Sequence, residues 1–120
     1  MEIRSFSGNL ATPKTNGRRI SGYAVVFGVK SEIMYDGATG RMFQEIIEPG
    51  AITSELLNRS DVKAVLEHDV QKLLARSNKG RGTLNLAISN KGLHYSFDAP
   101  NTSAGNYAIE MVKRGDITGS

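Results

Sequence analysis

The feature that most constrains this chain is a hairpin pattern over residues 82–98. Two segments there alternate apolar with polar or small residues, and the turn-forming stretch "NKG" separates them. The apolar positions are Leu84, Leu86 and Ile88 in the first segment and Leu93, Tyr95 and Phe97 in the second. Because side chains alternate between the two faces of a strand, the pattern predicts an antiparallel hairpin with one apolar face.

Further strand patterns occur before this hairpin. The clearest is "RRISGYAVVFG" at 18–28, which is rich in β-branched and aromatic residues. Gly22 lies inside it, and a glycine within a strand predicts a bulge or a close approach of another group to the backbone. The other expected elements are a short strand at 1–6, a surface excursion at 31–40, strands at 41–48 and 61–69, and a short apolar piece at 72–77.

Two segments have helical spacing instead. The apolar positions predict a short helix at 51–58 and a longer one over 103–114. Thr102 or Ser103 is the expected N-cap of the longer helix, and Gly115 is its expected C-terminal stop. The helix boundaries are therefore among the most specific structural predictions that the sequence allows.

The order of these elements has no βαβ rhythm and no internal repeat. It predicts an α+β fold, a mostly antiparallel β-barrel or sheet with helices packed on it, in a single domain over residues 1–120. An extended segment begins at "DITGS", where the sequence stops. We therefore expect the domain to be truncated at its C-terminus.

Composition excludes several classes of function. The chain has no cysteine, so disulfides, zinc–thiolate sites and a cysteine nucleophile are excluded. A formal net charge of +3 is too small and too scattered to predict a nucleic-acid surface. No stretch is apolar enough to predict a membrane span or a signal peptide. With two histidines and no carboxylate at helical spacing, we expect neither a metal site nor a cofactor.

His68 is the first candidate for chemistry. It lies in "AVLEHDV", between Glu67 and Asp69, at the end of an apolar run. Such a histidine can be a packed core residue, a metal ligand or a general base. Strand alternation predicts that His68 shares a face with Leu66 where the strand leaves the core, and that its two acidic neighbours point to the other face. The other histidine, His94, has the opposite parity to Leu93 and is expected to face solvent.

Ser120 is the candidate nucleophile among many serines, because of its context. It follows "RGDITG", where a helix is expected to end and an extended segment to begin with small residues. A nucleophile needs an exposed hydroxyl, a base within reach and backbone N–H groups for an oxyanion, and a junction flanked by glycine offers that space. Small polar residues at such junctions can also have a purely structural role in the turn. The context by itself therefore leaves both roles of Ser120, catalytic and structural, open.

Five segments together resemble the prohead (procapsid maturation) proteases of tailed bacteriophages, a serine peptidase family. They are "GYAVVFGVKS", "FQEIIEPGAI", "DVKAVLEHD", "GTLNLAISNKGLHYSFDAPNT" and "VKRGDITGS", in the family's order and over nearly the whole chain. The resemblance implies that His68 is the catalytic histidine and that "VKRGDITGS" leads into the nucleophile. It also implies a fold similar to the herpesvirus maturation proteases, a β-barrel ringed by helices.

The chain departs from the family pattern at its last residues. The family's nucleophilic serine usually lies two residues after the glycine that corresponds to Gly119. Either Ser120 is the nucleophile with the register shifted by one, or the nucleophile is the residue that follows Ser120. The third catalytic residue of the family is expected in a part that this sequence does not contain.

The resemblance implies a serine endopeptidase that cleaves the scaffolding segment of the major capsid protein, and the protease itself, during procapsid maturation. Its expected location is the bacterial host cytoplasm, inside the procapsid. Its expected partners are the major capsid protein and scaffolding segment; self-association stays open, and no nucleic acid or membrane is expected. The alternative is a non-enzymatic capsid scaffold or binding module on the same fold.

Overall fold

The computed structural model describes residues 10–30, 34–36, 38–43 and 46–120. The strand expected at 1–6 lies outside the described residues, as do parts of the segments expected at 31–40 and 41–48. The elements in chain order are β1 (Lys14–Asn16), β2 (Arg19–Val26), β3 (Met34–Asp36), β4 (Arg41–Phe43), α1 (Ser54–Arg59), β5 (Asp61–Leu66), β6 (Asp69–Asn78), β7 (Arg81–Gly82), β8 (Asn85–Ile88), β9 (Gly92–Asp98) and α2 (Ser103–Arg114).

The α+β class with antiparallel sheets is confirmed, but a closed barrel is not. The described strands form a four-stranded sheet in the order β1-β2-β9-β8, a β3-β4 hairpin and a β5-β6-β7 sheet. Every strand pair is antiparallel. No strand pairing among the described residues joins the three sheets. Most strands pair instead with a strand next to them in sequence, as antiparallel strands joined by short turns can. Of the two expected architectures, barrel or sheet, the closed barrel is therefore wrong for the part of the chain that is described, and antiparallel sheets are confirmed.

The hairpin that the sequence predicted at 82–98 is confirmed over β8 and β9, but its first strand begins at Asn85, because Gly82 belongs to β7 and pairs with β6. Leu86 pairs with Tyr95 and Ile88 with Leu93. Leu93 and Phe97 are buried and Tyr95 is half-buried, as one apolar face requires. On its other side β9 pairs with β2, so this hairpin lies at the centre of the largest sheet.

One hydrophobic core joins the two larger sheets to α2. Its buried members come from β2, β5, β6, β9, α2 and adjoining loops: Ile20, Leu66, Leu74, Ala75, Leu84, Phe97, Ala99 and Ala108. The helix lies against β1 and β6. Burial of apolar surface at this junction is the main force that holds the sheets together, because no strand pairing among the described residues links them.

Both ends of α2 follow the sequence prediction. The Thr102 side chain accepts a hydrogen bond from the Gly105 N–H at 3.1 Å, which satisfies a free donor of the first turn. Gly115 adopts a left-handed conformation with φ of 83°, and its N–H donates to the carbonyls of Met111 and Val112. Thr102 is thus the N-cap and Gly115 the C-terminal stop.

Arg18 lies in the β1–β2 turn and forms hydrogen bonds with residues at the start of this helix. Its guanidinium donates hydrogen bonds to the carbonyls of Ala99 at 3.1 Å and Pro100 at 2.8 Å, and to Asn106 Oδ1 at 2.9 Å. Gly105 is buried at the same place, and a Cβ there would collide with the Pro100 carbonyl. The position of α2, and of the segment that follows it, is therefore set by long-range contacts. No helix in the described residues is long and apolar enough to cross a membrane.

Candidate active site

A groove of about 500 Å³ brings the two candidate catalytic segments together. Residues 62–68 line one part of it, and Gly119 and Ser120 line another. Apolar side chains of the core, including Leu66, Leu86 and Phe97, form much of its floor. His68 and Ser120 therefore border one cavity although they are distant in sequence.

His68 lies at the tip of the β5–β6 hairpin. Leu66 pairs with Asp69, so Glu67 and His68 are the two residues of the turn. Both have a left-handed backbone, with φ of 53° at Glu67 and 59° at His68, and both are exposed. Two-residue turns with positive φ at both central positions match the twist of the strands that they join.

The turn corrects the prediction that the strand continues through residue 69. The chain reverses after Leu66, so strand alternation does not apply to Glu67 and His68 and cannot assign them to opposite faces. Turns of this kind usually contain asparagine or glycine, and "EH" therefore carried no turn signal. The Asp69 carboxylate is directed to its own strand, where it accepts a hydrogen bond from the Gln71 N–H at 2.9 Å.

Ser120 is half-buried and its hydroxyl has two partners. Ser120 Oγ donates a hydrogen bond to the carbonyl oxygen of Ala11 at 2.6 Å. It also lies 2.7 Å from the Tyr95 hydroxyl. Because the Ala11 carbonyl can only accept, the single proton of Ser120 is used there, and Tyr95 is the donor to Ser120. One hydrogen bond thus leads to β9 and the other to the segment before β1, and neither of these partners is His68.

Tyr95 was predicted only as a member of an apolar face. Its ring stacks on Phe97 with 6.2 Å between the centroids, and burial raises the pKa of its phenol above the usual value. The phenol is therefore protonated near neutral pH and able to donate. Alternation identified the ring as core, but nothing in the sequence indicated a partner for the hydroxyl.

Gly22 provides the space for this contact, as its position inside a strand predicted. It is buried and pairs with Tyr95 across β2 and β9. A Cβ at Gly22 would lie 3.0 Å from the Tyr95 hydroxyl and 3.3 Å from Ser120 Oγ. The close approach that the glycine predicted is confirmed, and an irregularity in register follows it between Tyr23 and Val25.

The segment that carries Ser120 is directed by the end of α2. The N–H groups of Asp116 and Ile117 donate to the Met111 carbonyl at 2.9 and 3.2 Å. The Ile117 side chain then packs against the main core. With Ser120 held by Ala11, the segment is attached at both ends, and Gly119 lies at the groove between these attachments.

His94 does not share this site. It is half-buried on β9, and its ring meets Tyr23 edge-on with 5.2 Å between the centroids. Tyr23 is its partner across the β2–β9 pair, on the face opposite to Gly22 and Tyr95. The expected outward parity of His94 agrees with this, although the ring packs on Tyr23 rather than standing fully in solvent.

Residues along the groove can support acyl-transfer chemistry. An exposed imidazole can accept a proton, and a glycine-containing segment that also lines the groove can present a hydroxyl and backbone N–H groups. The apolar floor can take a side chain of a bound peptide. Among the described residues, no group of three histidine, aspartate or glutamate side chains could hold a metal ion.

Comparison with protein families assigns this chain. Residues 7–120 match the family described as caudovirus prohead serine protease, a match that spans both His68 and Ser120. No curated protein and no solved structure matches the chain. Since the family match covers nearly all of the sequence and agrees with the motifs around the groove, the chain belongs to the caudovirus prohead serine protease family.

Proposed function

We propose that residues 1–120 form the protease domain of a serine endopeptidase that acts in capsid maturation, with His68 as its general base. The observation that carries the proposal is the groove that His68 shares with Gly119 and Ser120. Membership of a prohead serine protease family supports the same reaction class. His68 and the segment at 119–120 come from separate elements of the fold, and a groove lined by both supports a joint catalytic role.

The reaction is acyl transfer through a serine hydroxyl at or directly after Ser120. His68 removes the proton of that hydroxyl as its oxygen attacks the peptide carbonyl, and the same proton is then donated to the leaving amine. Backbone N–H groups of the glycine-containing segment hold the oxyanion. Water attacks the acyl-enzyme in the second half of the reaction and restores the serine.

The substrates that we propose are the scaffolding segment of the major capsid protein and the protease itself, cleaved inside the procapsid in the bacterial host. The family description places these enzymes at the prohead, which supports this assignment. We also propose a similarity to the herpesvirus maturation proteases in the packing of helices on antiparallel sheets, without the closed barrel. The core that α2 shares with the two larger sheets supports this similarity.

The test is cleavage by the full-length gene product that contains this chain. It is incubated with its own phage's major capsid protein, and the products are identified by intact mass. We expect cleavage within the scaffolding segment, loss of that cleavage after treatment with a fluorophosphonate, and one fluorophosphonate adduct per inactivated chain. Stable binding of capsid protein without cleavage or adduct would instead support the alternative, a non-enzymatic scaffold or binding module.

A further inference from the structure

We propose that Tyr95 is a positioning residue that clamps the nucleophile-bearing segment through Ser120, an inference that rests on the proposed serine protease function. The clamp consists of the Tyr95 hydroxyl, the Ser120 hydroxyl and the Ala11 carbonyl, in a hydrogen-bonded chain with separations of 2.7 and 2.6 Å. It places the catalytic segment relative to β2 and β9 and leaves the chemistry to other groups.

The direction of the hydrogen bonds makes Ser120 an anchor. Its only proton goes to Ala11, and a lone pair receives the Tyr95 proton. A nucleophilic serine must give its proton to a base, which Ser120 cannot do while it holds Ala11. Of the two positions left open for the nucleophile, this geometry favours the residue that follows Ser120.

The surroundings of the clamp are rigid. Ala11 is fully buried, and Tyr95 lies on a central strand against the buried ring of Phe97. Gly22 leaves room for both hydroxyls and no more, since a Cβ there would come within 3.3 Å of each. A site that must hold a reacting group to within a fraction of an ångström benefits from such fixed partners, because small misplacements strongly reduce rates.

The test compares fluorophosphonate labelling of full-length wild-type protein, Tyr95→Phe and a matched control, Tyr23→Phe. Tyr23 is also half-buried on the same sheet, one residue from Gly22 but on the opposite face. We expect Tyr95→Phe to lower the maximal labelling rate roughly 10- to 100-fold without changing the half-saturating concentration of the reagent. Tyr23→Phe should label at the wild-type rate. Equal rates for Tyr95→Phe and wild type would overturn the inference.

Gly22→Ala tests the same contact from the opposite side. The added methyl group crowds the Tyr95 and Ser120 hydroxyls, so we expect the maximal rate to fall. In the Tyr95→Phe background the tyrosine hydroxyl is absent, and the same substitution should have a much smaller effect. Additive effects of the two substitutions would show that Gly22 and Tyr95 act independently, which contradicts a shared clamp.

Peptide mapping of the labelled wild-type protein separates this inference from the proposed function. An adduct on the residue after Ser120, together with a slowed but measurable reaction of Ser120→Ala, supports the clamp. An adduct on Ser120 itself shows that Ser120 is the nucleophile and overturns the anchor role, while the protease function stands. If no serine is labelled, the proposed protease function fails as well.

Discussion

The two ends of the candidate groove are built in opposite ways. At the Ser120 end, the proposed nucleophile-bearing segment is held by long-range contacts: hydrogen bonds to Ala11 and Tyr95, and the packing of Ile117 in the core. At the His68 end, the histidine stands at the exposed tip of a two-residue turn. One end is fixed by contacts between distant parts of the chain, and at the other end the histidine is presented by a hairpin turn.

The difference shows which contacts fix the position of the serine segment and which fix the position of the histidine. The serine segment is irregular, so tertiary contacts fix it in addition to the local hydrogen bonds from Asp116 and Ile117 to Met111. The histidine is placed by the pairing of β5 with β6, whose last pair before the turn is Leu66 with Asp69. Left-handed conformations at Glu67 and His68 cost free energy, and such strain is often retained where it presents a functional side chain. The comparison predicts distinct responses to substitution at each end.

The largest expected difference in stability is between a substitution in the core near Ser120 and one on the surface of the β5–β6 hairpin. Phe97 is 2% exposed, and Phe97→Ala should lower the free energy of unfolding by about 3–5 kcal/mol. Val70, on β6 just after the turn, is 58% exposed, and Val70→Ala should change it by less than about 0.5 kcal/mol. Urea denaturation measures both. Comparable losses at the two positions would show that the ends do not differ in packing.

A smaller effect, an increase in stability, is expected from substitution in the β5–β6 turn. Glu67→Gly should raise the free energy of unfolding by about 0.5–1 kcal/mol, because glycine adopts positive φ without the steric cost of a Cβ. Glu67→Ala is the control, since it removes the carboxylate but keeps the Cβ, and it should bring no such gain. Thermal denaturation of both variants tests this. A gain with alanine equal to that with glycine would assign the effect to charge instead of backbone strain.

The smallest expected effect concerns pH at the Ser120 end. Burial raises the pKa of Tyr95 above 10.0 in the folded protein. As the pH rises above 10.0, the phenol therefore loses its proton in the unfolded state before it does so in the folded state. Its contribution to stability is complete below pH 10.0 and is lost as the pH rises through the folded pKa. Tyr95→Phe should therefore show a shallower decline of stability with alkaline pH than Tyr107→Phe, whose ring is exposed. Parallel declines would contradict the buried, protonated phenol.

Sequence patterns predicted the structure correctly at positions where the local backbone geometry favours only a few residue types. The N-cap of α2 was expected at Thr102 or Ser103 and is Thr102, and Gly115 is the expected stop. Gly22 indicated a bulge or a close approach, and a close approach is found there. Apolar alternation placed Tyr95 and Phe97 on one buried face of β9. In each case, local geometry restricts the residues allowed, so the sequence carries a readable signal.

The parts that could not be predicted depend on distant partners or on atypical residues. The β5–β6 turn was missed because Glu67 and His68 are unusual at positive φ. The Tyr95–Ser120 contact was missed because it joins residues from separate elements through one hydroxyl group. The family motifs identified both ends of the groove, but only the structure showed how differently the two ends are held.

Replacement of each histidine in turn tests the central claim most directly, that His68 is the base of this groove. Self-cleavage by the full-length gene product is followed by intact mass for His68→Ala and for the control His94→Ala, with thermal midpoints measured for both. We predict that His68→Ala lowers the cleavage rate by about 10²–10⁴-fold at an unchanged midpoint, since the side chain is exposed and serves as the base. His94→Ala should keep its cleavage rate. Wild-type cleavage by His68→Ala, or an equal loss in both variants, would contradict the account.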